Sequence, residues 1–71
     1  MKNDIKLHLS KRIRQLRKEY GYTQEELAEK TGINYKHLQR LEGKNPPAIR
    51  IDTLEKIANV FKTKIADLLK K

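Results

Sequence analysis

Apolar residues recur along this chain at helical spacing, and no segment shows the alternation of a strand. Ile5, Leu9, Ile13, Leu16 and Tyr20 follow at steps of four, four, three and four, one stripe of a helix from about Asp4 to Tyr20. Gly21 closes it, at a position where positive φ carries no Cβ penalty. Thr23-Gln24-Glu25-Glu26 has the spacing of a capping box and starts a second helix that runs to about Lys30. Gly32 breaks that helix, and Asn34, a good N-cap, starts a third that runs to about Glu42 and ends at Gly43. Lys44 to Ile51, with Pro46-Pro47, is a predicted loop. Leu54, Ile57, Ala58 and Phe61 make the stripe of a fourth helix, and Ile65, Leu68 and Leu69 that of a short fifth.

The second and third helices pose a packing problem. A tight turn between two helices at a steep angle forces them together near the turn, so only a small side chain fits at the crossing. Ala28 suits that place, and Gly32 suits a turn with positive φ. Leu27, Ile33, Leu38 and Leu41 are expected to bury against the first and fourth helices. On a wheel of about 100° per residue, Gln39 and Arg40 then flank Lys36, with Leu38 and Leu41 opposite. The outer face of the third helix therefore presents Lys36, Gln39 and Arg40, bordered by Asn34 and Tyr35. These long donors match the base edges of the major groove and the phosphates beside it.

Charge turns that face toward a particular partner. Seventeen Lys and Arg against nine Asp and Glu give a net charge of +8 and a pI near 9.9. Such a balance favours a polyanion: nucleic acid first, an anionic membrane surface second. The basic face of the first helix (Lys11, Arg12, Arg14, Lys18) fits a solvated face better than an interfacial membrane helix, because its apolar stripe is needed for the core.

The 71 residues suffice for one small domain. No apolar run exceeds two residues, which excludes a transmembrane helix, and Met1 to Asp4 leads into no signal-peptide core. The lack of cysteine removes disulfides and thiolate metal sites and fits a reducing cytoplasm. His8 and His37 have no ligand-like neighbour, so both are expected at the surface and no metal or other cofactor is expected. The only serine, Ser10, lies in a basic helix, and no glycine-rich loop is present, so no parts of an enzyme are visible. No small-molecule ligand is evident either.

At "RIRQLRKEYGYTQEELAEKTGI", "LQRLEGK" and "DTLEKIANVF" the chain resembles the Cro/C1-type (XRE) helix-turn-helix domains of phage repressors and bacterial regulators. The resemblance covers nearly the whole chain. It implies an all-α, compact five-helix, lambda-repressor-like domain over residues 1–71, with the helix-turn-helix at helices 2 and 3. It implies a sequence-specific transcriptional regulator, a repressor by preference, bound as a homodimer to an inverted-repeat operator in double-stranded DNA. By the same resemblance Gln24 holds a backbone phosphate. Asn34, Tyr35, Lys36, Gln39 and Arg40 contact bases and phosphates, and Lys44 and Asn45 touch phosphates from the following loop. Arg17 and Glu42 match a charge pair that ties helix 1 to the end of helix 3.

The chain departs from the family pattern at three places. Gln39 stands where many relatives have a small Ser or Thr, Gly43 follows Glu42 directly, and Lys64 replaces a Ser or Thr cap. From the crowding of apolar residues in helix 5, Leu68 is expected inward and Ile65 or Leu69 at a dimer interface. An antitoxin-like or adaptor module that binds protein on the same fold is the alternative reading.

Overall fold

The computed structural model describes residues 4–70. The ends of the expected 1–71 domain, and the leader-free reading of Met1 to Asn3, lie outside the described residues. Five helices follow in order: α1 (Ile5–Glu19), α2 (Gln24–Thr31), α3 (Tyr35–Leu41), α4 (Ile51–Val60) and α5 (Ile65–Leu69). The described residues contain no strand, so the fold is all-α with five helices, as expected.

Local chemistry sets most of the helix ends. The Asp4 carboxylate caps α1 by accepting from the Leu7 amide. At the other end Gly21 takes φ +75°. Its amide donates to Lys18 and that of Tyr22 to Arg17, the paired bonds of a Schellman stop. The Thr23 hydroxyl accepts from the Glu26 amide at 3.0 Å, and the Glu26 carboxylate accepts from the Thr23 amide at 2.8 Å, completing the capping box. The Asn34 side chain accepts from the amides of Lys36 and His37. The end of α4 uses the same paired bonds as α1, but its left-handed residue is Lys62 at φ +53°, so no glycine announces it.

The turn between α2 and α3 is stitched by Thr31, the last residue of α2, one beyond the expected end. Its buried hydroxyl donates to the Leu27 carbonyl at 2.7 Å and accepts from the Ile33 amide. Gly32 sits at φ +75°, as the turn requires. Gly43 differs: it follows α3 without a positive φ, and its carbonyl accepts from the buried Ser10 hydroxyl at 3.0 Å. That serine, read from the sequence only as a residue of a basic helix, is buried.

The core gathers Leu9 and Ile13 of α1, Leu27 and Ala28 of α2, Ile33, Leu38 and Leu41, the α4 stripe with Phe61, and Leu68 of α5. The α1 stripe is buried only in its middle. Ile5 and Tyr20, at its ends, are exposed. Tyr20 still acts over distance: its ring packs edge-on to Phe61 with centroids 5.0 Å apart, and its hydroxyl donates to the Phe61 carbonyl at 2.7 Å. Ile51, expected in the loop, is the first residue of α4 and is 74% exposed.

α2 packs against both α3 and α4, and α5 against α1 and α4. Ala28, 6% exposed, lies where α2 meets α3. Ala28→Leu should cost about 1–3 kcal/mol by overpacking that crossing, lowering the midpoint of a thermal melt by several degrees. An unchanged melt would mean that the two helices do not approach there.

Candidate nucleic-acid interface

α3 is short, with seven residues, and its two faces differ sharply. Leu38 and Leu41 are buried, while Tyr35, Lys36, Gln39 and Arg40 are exposed on the other side, with Asn34 exposed at the N-cap. The Asn34 side chain oxygen is committed to capping, so its amide nitrogen is the end left for a ligand. Within the exposed face one bond stands out: Gln39 Nε2 donates to the Tyr35 hydroxyl at 3.1 Å, one helical turn away. His37, on the flank, is half-buried rather than a fully exposed surface residue, and so is His8, whose Nε2 lies 2.8 Å from the Lys70 carbonyl oxygen.

The C-terminal end of α3 is fastened to α1 and α2 through Glu42. The Arg17 Nε lies 2.9 Å from Glu42 Oε2, and the two side chains are 13% and 2% exposed. Arg17 also donates through Nη1 to the Tyr22 carbonyl at 2.8 Å. Gln24 Nε2 donates to Glu42 Oε1 at 3.2 Å, so the residue expected to hold a phosphate is also tethered to the carboxylate. Its amide keeps a second N–H and its oxygen free. The position at the N-terminus of α2, where free amides collect positive potential, suits an anion. Burying Glu42 is tolerable because both carboxylate oxygens are filled.

Arg14 was read from the sequence as part of a solvated basic face. In the structure it is half-buried, and its Nη1 donates to the Glu42 carbonyl at 3.1 Å. With Ser10 on Gly43, α1 thus satisfies two carbonyls just past α3, where a helix leaves them without partners. The signal was present, since Ser10, Arg14 and Arg17 share a face of α1 at steps of four and three. Their targets lie 28 and 33 residues away for Arg14 and Ser10, beyond any local pattern.

Lys44 and Asn45 are exposed and share a recess with Asp4 and Lys6 at the start of α1. The α5 candidates separate. Leu68 is fully buried, and Ile65 packs half-buried against the core. Leu69 is 37% exposed in a shallow apolar groove with Ile5, Ala48, Ile49 and Ile51. No described helix is long and apolar enough to cross a membrane.

The family model of the Cro/C1-type HTH DNA-binding domain matches residues 12–70. An HTH-type transcriptional regulator of Archaeoglobus fulgidus, itself uncharacterized, is 48% identical over 58 residues, 80% of each chain. The HTH-type transcriptional regulator SinR of Bacillus subtilis is 38% identical over 61 residues, 86% of this chain and 55% of SinR, so the chain matches about half of that relative. Among solved structures, SinR, described as the master regulator for biofilm formation, in complex with DNA superposes with a TM-score of 0.82 at 37% identity, covering 87% of this chain and 98% of that one. A variant of the restriction–modification controller protein C.Esp1396I gives 0.81 at 26% identity, covering 97% of this chain and 90% of that one. With the helix-turn-helix at α2 and α3 and a match over most of its length, the chain belongs to the Cro/C1-type helix-turn-helix domains, which bind DNA and are not enzymes.

Proposed function

We propose that this protein is a sequence-specific transcriptional regulator, a cytoplasmic repressor that lays α3 in the major groove of an inverted-repeat operator as a homodimer. The observation that carries this is the donor-rich outer face of α3, held at a fixed angle by the buried Glu42 network. Tyr35, Lys36, Gln39 and Arg40 read bases and neighbouring phosphates, with Asn34 at the edge. Gln24, Lys44 and Asn45 hold phosphates, which set register and carry no sequence information.

One recognition helix reads too few base pairs to select a site among genomic competitors. Two copies on a two-fold axis double the readout, with half-site centres about 34 Å apart. The apolar groove around Leu69 is the self-complementary face for that dimer. Repression then needs only occupancy, since a bound dimer covers the DNA beneath it.

The test is site selection from random DNA followed by base-by-base competition. Arg40→Ala should cost about 1–3 kcal/mol at the selected site and relax preference at one or two base pairs. Lys44→Ala should weaken binding evenly across sequences and reduce the salt slope by about one. An unchanged preference profile for Arg40→Ala would take α3 out of the groove. Recovery of only weak, sequence-blind binding would favour the protein-interaction module instead.

A further inference from the structure

Gln39 stands on the exposed face of α3, and the structure gives it a partner. Its Nε2 donates to the Tyr35 hydroxyl at 3.1 Å, between two residues one turn apart on the exposed face of α3. A glutamine amide has two N–H groups and one carbonyl oxygen. With both N–H groups free, it serves as a double donor or as a donor–acceptor pair. The first mode suits guanine, whose N7 and O6 are both acceptors. The second suits adenine, whose N7 accepts while its N6 amino group donates. With one N–H committed to Tyr35, the amide is left with a single N–H and its oxygen. That remainder matches adenine and sets Oε1 against the guanine O6.

We propose that Tyr35 determines the base preference of Gln39, selecting adenine over guanine at one position of each half-site. The proposal rests on the DNA reading of α3 and adds a division of labour within it. In water the bond contributes little, because both groups are exposed and solvent competes for them. In a groove emptied of water the competition ends, and breaking the bond to free the second N–H leaves the phenol oxygen short of a donor. Tyr35 also keeps its own O–H, which is free to donate to a phosphate, so the same side chain links backbone position to base choice.

The experiment measures relative affinity for the selected operator and for variants with each base pair replaced, using wild type, Tyr35→Phe, Gln39→Ala, the double variant and Arg40→Ala. Wild type is expected to prefer adenine over guanine by roughly tenfold at one position, falling to about twofold in Tyr35→Phe with other positions unchanged. Gln39→Ala should abolish the preference there, and adding Tyr35→Phe should then change nothing at that position. Tyr35 is exposed, so Tyr35→Phe should melt as wild type does. A uniform loss across all sites with the adenine-to-guanine ratio intact would make Tyr35 a phosphate contact only and overturn the proposal. An unchanged profile in Gln39→Ala would overturn it as well. If Arg40→Ala still alters the profile in either case, the DNA reading of α3 survives. If no variant alters it, that reading falls too.

Discussion

Glu42→Ala is expected to destabilise the protein by about 3–5 kcal/mol, the usual loss when one partner of a buried ion pair is removed. The carboxylate is almost fully enclosed and meets Arg17 Nε and Gln24 Nε2. Without it the Arg17 guanidinium keeps only the Tyr22 carbonyl and stays largely out of water. Such a loss is a large share of the roughly 5–15 kcal/mol that domains possess. Urea unfolding followed by circular dichroism gives the value directly. Glu42→Gln retains one acceptor oxygen and should lose less. Arg17→Met combined with Glu42→Leu removes both charges and should recover much of the stability, since an apolar pair of similar volume often equals a buried ion pair. That double variant should still bind DNA more weakly, because Gln24 loses its anchor. A loss below about 1 kcal/mol for Glu42→Ala would show that the network contributes orientation alone.

Leu69→Glu is expected to give a folded monomer whose operator binding falls by about a hundredfold or more, the gain that joining two half-site contacts supplies. Affinity for nonspecific DNA should stay within a few fold, because the α3 face is untouched. A two-fold axis through the groove would bring the two new carboxylates together in a largely apolar seam that Lys6 also lines, at a cost in burying charge. Ile51→Glu should reproduce the effect. Its side chain is 74% exposed, so it reports on the face without threatening the core. Ile65→Glu should instead lower stability, since Ile65 packs against buried residues. Analytical ultracentrifugation with footprinting separates the cases. A wild type that stays monomeric at high micromolar concentration, together with normal operator binding by Leu69→Glu and Ile51→Glu, would remove the groove from the assembly.

The parts of the fold that were legible in the sequence are those decided within one helical turn. The Thr23–Glu26 box, the Asn34 cap and the left-handed Gly21 and Gly32 each rest on residues close in the chain. The inner and outer faces of α3 followed from helical spacing alone, and the Arg17–Glu42 pair from family resemblance. What escaped depends on distant partners. Arg14 looked like part of a solvated basic face and Ser10 like an idle serine in a basic helix, and the carbonyls past α3 draw both inward. Ile5 and Ile51 read as a stripe end and a loop residue, and only the approach of α1 to the start of α4 and α5 gathers them into one apolar groove. Lys62 hides a left-handed stop because a lysine gives no hint of it. The Tyr35–Gln39 bond spans one turn and was open to inspection as an i, i+4 pair.

The fastening of the α3 exit by Ser10, Arg14 and Glu42 has a consequence for discrimination between sites. A recognition element on a loose hinge adapts to an imperfect sequence by tilting, and each small tilt recovers some lost contact. Here the backbone just past the helix is pinned to α1 by hydrogen bonds at two successive carbonyls. The helix therefore moves with the rest of the fold as a rigid body, and little internal freedom is lost when it docks. Under the proposed docking, a wrong base pair would be met by the same side-chain positions as a right one, and its unsatisfied polar groups would count in full. If α3 reads DNA as proposed, rigidity just past the helix sharpens the contrast between correct and incorrect sites.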